Sequence, residues 1–143
     1  MNWIVGGWQV AGMSSIQTGN PLDVKMQTTR TFSVNKQNRP NRIADGNLPG
    51  DQRTVDRWFD TSAFTTPADF QLGNSGRAPV YGSGLFNIDA TLAKRFPIGE
   101  TRSLQFRWEL FNLTNNVNFG LPVYYVGNPD FGKIFSSRDA RQM

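Results

Sequence analysis

Two carboxylates lie on the polar positions of two neighbouring strands that the sequence predicts. Asp89 belongs to LFNIDATLAKRFPI and Glu109 to RSLQFRWEL, and apolar and polar residues alternate in both segments. A carboxylate pair, one residue acting as acid and the other as nucleophile or base, is the machinery of glycoside hydrolysis. Arg95 and Arg107 share the polar positions, so cross-strand salt bridges are the favoured interpretation of the same residues. The two arginines are also candidate ligand contacts.

A second group of candidates combines carboxylates with aromatic rings. Asp56 and Asp60 flank Trp58 and are reserve candidates for the acid and the base of a small glycoside hydrolase. The rings of five residues could instead act as stacking platforms, which would make the chain a carbohydrate-binding module: Trp3, Trp8, Trp58, Tyr124 and Tyr125. An enzyme and a binding protein therefore both stay open at this point.

The residue types that the chain lacks exclude several kinds of site. It has no cysteine and no histidine, so disulfides, zinc–thiolate sites and Ser-His-Asp triads cannot form. We expect no metal and no cofactor. The net charge is +4, but no block of lysine and arginine accompanies it, so we expect no nucleic-acid partner.

The elements that must position these residues are strands. Hydrophobic residues make up 38% of the chain and aromatic residues 13%, with 14 glycines and 8 prolines, which favours short strands and loops over a helical bundle. The sequence predicts an all-β fold of mainly antiparallel strands in one unit over 1–143. It predicts strands at about 2–18, 22–34, 84–98, 102–113 and 131–137, a short helix at about 53–61, and long loops at 35–52, 62–83 and 114–130.

The two longest predicted strands form a hairpin through the turn PIGETR. One face of this hairpin is apolar, with Phe86, Leu92, Phe106 and Trp108, and Trp8 of the first strand follows the same pattern. In a soluble protein this face would cover a core, whereas in a transmembrane barrel it would face lipid and leave the polar face to a wet lumen. If the chain folds alone, we expect a small half-barrel or sandwich, or a homo-oligomer that covers the apolar face.

Several stretches taken together resemble a known family. GGWQVAGMSSIQTGNPL, NRPNRIADG, TVDRWFDTSAF, LGNSGRAPVYGSGLFNIDATLAKRFPI, LQFRWELFNLTNNVNFG and FGKIFSSRDARQM follow one another in this order. Their order and spacing resemble the C-terminal segment of TonB-dependent outer-membrane receptors, and within them the Oar-like proteins with a carboxypeptidase-regulatory-like domain, a group abundant in soil bacteria.

The resemblance implies a segment of a transmembrane barrel of about 22 strands that takes up ligands. Its partners would be membrane lipid and the rest of the barrel. The apolar residues would face lipid, and Asp89, Arg95, Arg107 and Glu109 would face the lumen. Long loops at 35–83 and 114–130 would lie outside the cell, and PIGETR would be a periplasmic turn.

The ends of the chain lead to a further expectation. The first residues have no basic region followed by a long apolar run, and the stretches that resemble the family include no plug domain. We therefore expect a truncated receptor with no catalysis of its own, whose parent lies in the outer membrane. The isolated chain would stay in the cytoplasm when expressed.

Overall fold

The computed structural model describes residues 2–28, 31, 38–138 and 142. Two compact units are present. We call the first the sheet unit, formed by Met1–Gln17, Leu85–Asn118 and Arg138–Met143, and the second the loop unit, formed by Thr18–Gly84 and Phe119–Ser137. The sequence predicted a single unit, because strand alternation does not reveal that a long connection packs on itself.

The sheet unit contains one short helix and three long strands. The helix α1 covers Asn2–Val5, and the chain turns at Gly7, whose φ is +76°, a conformation that glycine adopts without strain. The strands are β1 (Trp8–Gln17), β7 (Leu85–Ile98) and β8 (Arg102–Leu110). The strand expected over 2–18 is therefore six residues shorter at its start, where residues 2–5 are helical instead.

β7 is the central strand of an antiparallel sheet in the order β1-β7-β8. Trp8 pairs with Lys94 at one end of the first ladder, and Gln17 pairs with Leu85 at the other. The second ladder begins at Ile98, which pairs with Arg102 across a tight turn at Gly99. This register places alternate residues of all three strands on a common face. The sheet is open among the described residues, and the predicted all-β class is confirmed.

The loop unit contains short strand pairs around a hydrophobic core. Its strands are β2 (Pro21–Leu22), β3 (Lys25–Met26), β4 (Asn41–Arg42), β5 (Phe64–Thr65), β6 (Val80–Tyr81) and β9 (Tyr125–Val126). β2 pairs with β6 and β4 with β5 in antiparallel fashion, while β3 and β9 are parallel. The buried core consists of Leu22, Val24, Met26, Phe59, Ala63, Phe64, Val80 and Val126.

The helix expected over 53–61 is absent, which corrects the sequence prediction. 3-10 turns at Gly50–Gln52 and Thr61–Ala63 lie at either side of an irregular segment that bends at residues 55–56 and 58–59. Within that segment the Trp58 backbone N–H donates to the Gly132 carbonyl at 2.9 Å, and the Phe59 ring is buried in the core. A hydrogen bond to a distant segment and burial of a ring thus outweigh the local helical spacing.

Two other predicted strands differ from the structure. Over 22–34 the described residues form β2 and β3 only, and residues 29–30 and 32–34 lie outside the described part of the chain. Over 131–137 the structure has a single bridge, between Phe119 and Ser137, instead of a strand. The predicted loops carry β4, β5, β6 and β9, which alternation could not reveal because each has two residues.

Candidate functional site

One face of the sheet is apolar and uncovered by the described residues. Val10 is 77% exposed, Ile16 71% and Leu104 59%. Water-soluble monomers rarely expose a contiguous apolar surface of this size. The face is formed by Trp8, Val10, Ile16, Phe86, Ile88, Leu92, Phe96, Ile98, Leu104, Phe106 and Trp108.

The length of this apolar face matches a membrane. On β7 it extends from Phe86 to Ile98. At ~3.3 Å per residue and a strand tilt of ~40°, this stretch rises ~30 Å, which spans the ~25 Å apolar band of outer-membrane barrels. Leu92 lies at its middle.

Lys94 is a charged residue on the apolar face, and the sequence prediction missed it. Its Nζ donates to the Ile4 carbonyl at 2.7 Å and to the Gly6 carbonyl at 2.8 Å, and the residue is 3% exposed. Nζ also lies 4.5 Å from the centroid of the Trp8 ring, a cation–π contact. The signal in the sequence was its position between Leu92 and Phe96. Because its charge is bound by carbonyls, Lys94 does not interrupt the apolar surface.

The other face of the sheet carries the predicted charges, and most of them make weak local pairs. Arg107 lies 3.5 Å from a Glu109 carboxylate oxygen, with both side chains about half exposed. Arg95 donates from Nε to the Ser103 hydroxyl at 3.1 Å. Exposed pairs of this kind contribute less than about 1 kcal/mol to stability. Both arginines therefore keep guanidinium groups at a wet surface.

Asp89 holds the loop that follows β8. Its Oδ1 accepts the Asn112 backbone N–H at 2.9 Å and the Asn87 carboxamide at 2.8 Å. Glu109 is opposite Thr91, two residues further along β7, so the two carboxylates lie on one face as diagonal neighbours. The structure thus brings the predicted pair together, with Asp89 bound to the loop and Glu109 paired to Arg107. Their catalytic assignment stays a prediction.

The side chain of Asn118 pairs with the backbone of β7 beyond the end of β8. Its Oδ1 accepts the Phe86 backbone N–H at 2.9 Å, and its Nδ2 donates to the Phe86 carbonyl at 3.1 Å. β8 has ended at Leu110, so the carboxamide makes the two hydrogen bonds that a neighbouring strand would make. This explains why an asparagine-rich segment follows the strong alternation of β8.

Replacing Asn118 with alanine should release the start of β7. An unpaired backbone group costs about 1–3 kcal/mol, so we expect the Phe86 amide to exchange with solvent at least about tenfold faster. Hydrogen exchange followed by NMR measures this. Asn116→Ala is the matched control, because Asn116 is exposed and bonds Asn112 through its backbone. Equal exchange of Phe86 in both variants would contradict the role of Asn118.

The remaining predicted site residues lie in the loop unit and make structural contacts there. Trp58 donates from its indole to the Tyr81 carbonyl at 3.1 Å. Tyr124 and Tyr125 stack with ring centroids 4.6 Å apart, and their hydroxyls lie 3.5 Å apart. The hydrogen bond with Tyr125 raises the pKa of Tyr124. Asp56 is exposed in a turn. Their roles as catalytic or ligand-binding residues stay predictions.

Asp60 caps the Thr61–Ala63 turn. Its Oδ1 accepts the Ser62 backbone N–H at 3.2 Å, the Ser62 hydroxyl at 2.8 Å and an Arg57 guanidinium N–H at 2.8 Å. The hydrogen bonds from Ser62, followed by that from Arg57, lower the pKa of Asp60 below its ordinary 3.8. The ionised carboxylate is therefore the form that the fold favours.

The free energy of unfolding of the loop unit should consequently decrease as the pH falls into the acidic range. Because the folded pKa of Asp60 is depressed, its contribution is complete above the ordinary value and is lost as pH falls through the lower folded pKa. We expect the urea midpoint, followed by near-UV circular dichroism, to fall as the pH is lowered from about 5 to below the ordinary pKa of 3.8. The Asp60→Asn variant should lose less over this interval than the wild type. An identical decline in both would assign the effect to other carboxylates.

The described residues provide neither a metal-ion site nor a membrane-spanning helix. No cluster of three or more Asp, Glu, His or Cys side chains in the described ranges could hold a metal ion. No helix among those residues is both long enough and apolar enough to cross a membrane.

A sheet with one apolar face of membrane length and one polar face is the architecture of an outer-membrane barrel wall. A family model described as "Outer membrane beta barrel domain" matches residues 1–143, and the chain belongs to this family. The family places the parent protein in the outer membrane. Searches among curated proteins and among solved structures found no match. Nothing in the comparisons supports the hydrolase or the carbohydrate-binding module.

Proposed function

We propose that the chain forms part of the barrel wall of a TonB-dependent outer-membrane transporter. The observation that carries the proposal is the exposed apolar face of the sheet, which we assign to lipid, while the face with Arg107 and Glu109 lines the lumen. Several sequence stretches resemble those of TonB-dependent receptors in the same order, and this resemblance supports a transporter whose uptake is driven through TonB.

The connections between the strands support an orientation. Gln17 ends β1, Leu85 begins β7 and Leu110 ends β8, and in an antiparallel sheet these residues mark one end. Both segments of the loop unit connect there, whereas the turn at Gly99 is tight. Outer-membrane barrels have short periplasmic turns and longer extracellular loops. The loop unit is therefore extracellular in this proposal.

The rest of the barrel would supply the partners of the sheet edges. Among the described residues, the outer edge of β8 has one bridge, from Phe111 to Gln142. An unpaired strand edge does not persist in hydrocarbon, because its backbone groups find no water. Further strands beside β1 and β8 would satisfy these groups and close the lumen. The transported solute would pass the polar face without chemical change.

Cysteine labelling of β8 tests this placement, since the chain has no natural cysteine. Single cysteines replace Leu104 and Phe106 on one face, or Gln105 and Arg107 on the other, and each carries an environment-sensitive fluorophore. In the protein folded in phospholipid vesicles, spin-labelled lipid should quench the first pair and aqueous iodide the second. Quenching that does not alternate would contradict a lipid-facing wall.

The energy coupling is tested separately in cells that express the parent protein. Deleting the TonB protein should abolish solute uptake and leave the labelling pattern unchanged. Uptake that survives the deletion would exclude TonB dependence, but it would not contradict the assignment of the chain to a barrel wall.

A further inference from the structure

A cavity of about 360 Å³, lined by both polar and apolar groups, lies on the face that we assign to the lumen, entirely within the sheet unit. We call it the Asp89 cavity. Its volume falls in the range of small-molecule pockets, about 300–1,000 Å³. The side chains that matter for its chemistry are Ser15, Asn87, Asp89, Phe111, Arg138 and Gln142.

The Asp89 cavity has balanced charge. Asp89 and Arg138 are its two ionisable residues, of opposite sign. Oδ1 of Asp89 already accepts two neutral N–H donors, from Asn87 and Asn112, so part of its charge is stabilised by the protein itself. A strongly anionic or cationic ligand would find no excess of opposite charge here. Charge balance therefore favours a neutral ligand.

Hydroxyl and carboxamide groups make up the remaining polar lining. Ser15 and Gln142 can each donate and accept hydrogen bonds, as can the alcohol groups of a polyol. Phe111 adds an aromatic ring that is 48% exposed, on the same sheet face as Asp89. A ring beside paired donors and acceptors matches a sugar, which has an apolar ring face and a hydroxylated rim.

A second cavity on the polar sheet face also has balanced charge. A neighbouring cavity of about 240 Å³ is lined by Gln9, Thr91, Arg107 and Glu109 among others, again with one positive and one negative residue. The charges of Arg107 and Glu109 offset each other, because a guanidinium nitrogen of Arg107 lies 3.5 Å from a carboxylate oxygen of Glu109. Each of the two cavities thus carries one positive and one negative residue, which suits a neutral hydrophilic solute.

We propose that the Asp89 cavity is a binding subsite for a neutral mono- or disaccharide. The proposal rests on the lumenal placement above and names the class of solute carried. It differs from the carbohydrate-binding module that the sequence suggested, because the aromatic ring that lines this cavity is that of Phe111.

The test measures maltose binding to the full chain in detergent micelles by saturation-transfer NMR and titration. Maltose should bind in the millimolar range, and citrate and glycylglycine should not bind at this cavity. Gln142→Met should weaken maltose binding about fivefold, the effect of losing a hydrogen bond. Phe111→Leu should weaken it similarly by removing the ring. Gln105→Met makes the identical substitution on the same sheet face, outside the cavity, and should leave binding unchanged.

Each other outcome overturns the proposal. Absence of maltose binding, or equal weakening by Gln105→Met and Gln142→Met, excludes a sugar subsite in this cavity. Stronger binding of citrate would assign the cavity to anions, and stronger binding of glycylglycine to zwitterions. Lipid quenching on β8 is measured independently, so a failed sugar titration with an alternating quenching pattern would reject the subsite and retain the barrel wall.

Discussion

Leu92→Arg should destabilise the membrane-folded protein by about 2–4 kcal/mol, the cost of a cation at the middle of the bilayer on a barrel surface. Leu92 lies midway along the apolar face of the central strand, between Val10 of β1 and Trp108 of β8. An arginine there would meet hydrocarbon, whereas the ammonium group of Lys94 on the same face is bound by the Ile4 and Gly6 carbonyls. The urea midpoint for folding into phospholipid vesicles measures the change.

Thr91→Arg is the control, because it introduces the same side chain at the adjacent residue. Thr91 lies on the polar face and is opposite Glu109, so its arginine would meet water and a carboxylate. We expect its free energy of unfolding to remain within about 0.5 kcal/mol of the wild type. Equal destabilisation by both arginines would mean that the two faces do not differ in environment, and the lipid assignment would fail.

Phe59→Ala should unfold much of the loop unit, with a loss of about 3–5 kcal/mol in its free energy of unfolding. Phe59 is 1% exposed, and its ring meets those of Phe131 and Phe64 edge-on at 5.1 and 6.2 Å. Alanine would leave a cavity among these rings and remove the edge-on contacts. Near-UV circular dichroism in urea reports the loss of this packing.

Phe135→Ala makes the same substitution in the same unit at a residue that is 70% exposed. A surface substitution changes stability by about 0.5 kcal/mol or less. If the alanine at residue 135 costs as much as the one at residue 59, the core of the loop unit is not centred on Phe59.

The hydrophobic composition of the chain reflects these two separate environments. Two groups of apolar residues have different surroundings, one on the exposed sheet face and the other in the core of the loop unit. A barrel wall needs apolar residues on one face only, and its other face is polar. A content of 38% hydrophobic residues is therefore compatible with both a membrane face and a folded loop unit.

The hairpin of β7 and β8 and its two faces follow from the sequence alone. Alternation over many residues, from Leu85 to Ile98 and from Arg102 to Leu110, allows one assignment of faces, because successive side chains of a strand point to opposite sides. The same alternation predicted that Asp89 and Glu109 share a face. These are local properties, since period and pairing through a tight turn need no information from distant residues.

Only the tertiary structure decided the loop unit, the environment of Lys94 and the composition of the Asp89 cavity. The segment around Trp58 has helical spacing, yet its backbone bonds to Gly132 and its neighbour Phe59 is buried. The cavity combines Ser15, Asn87 and Arg138, which lie far apart along the chain. The free energy of such contacts depends on which distant segments meet, and local periodicity does not determine which segments these are.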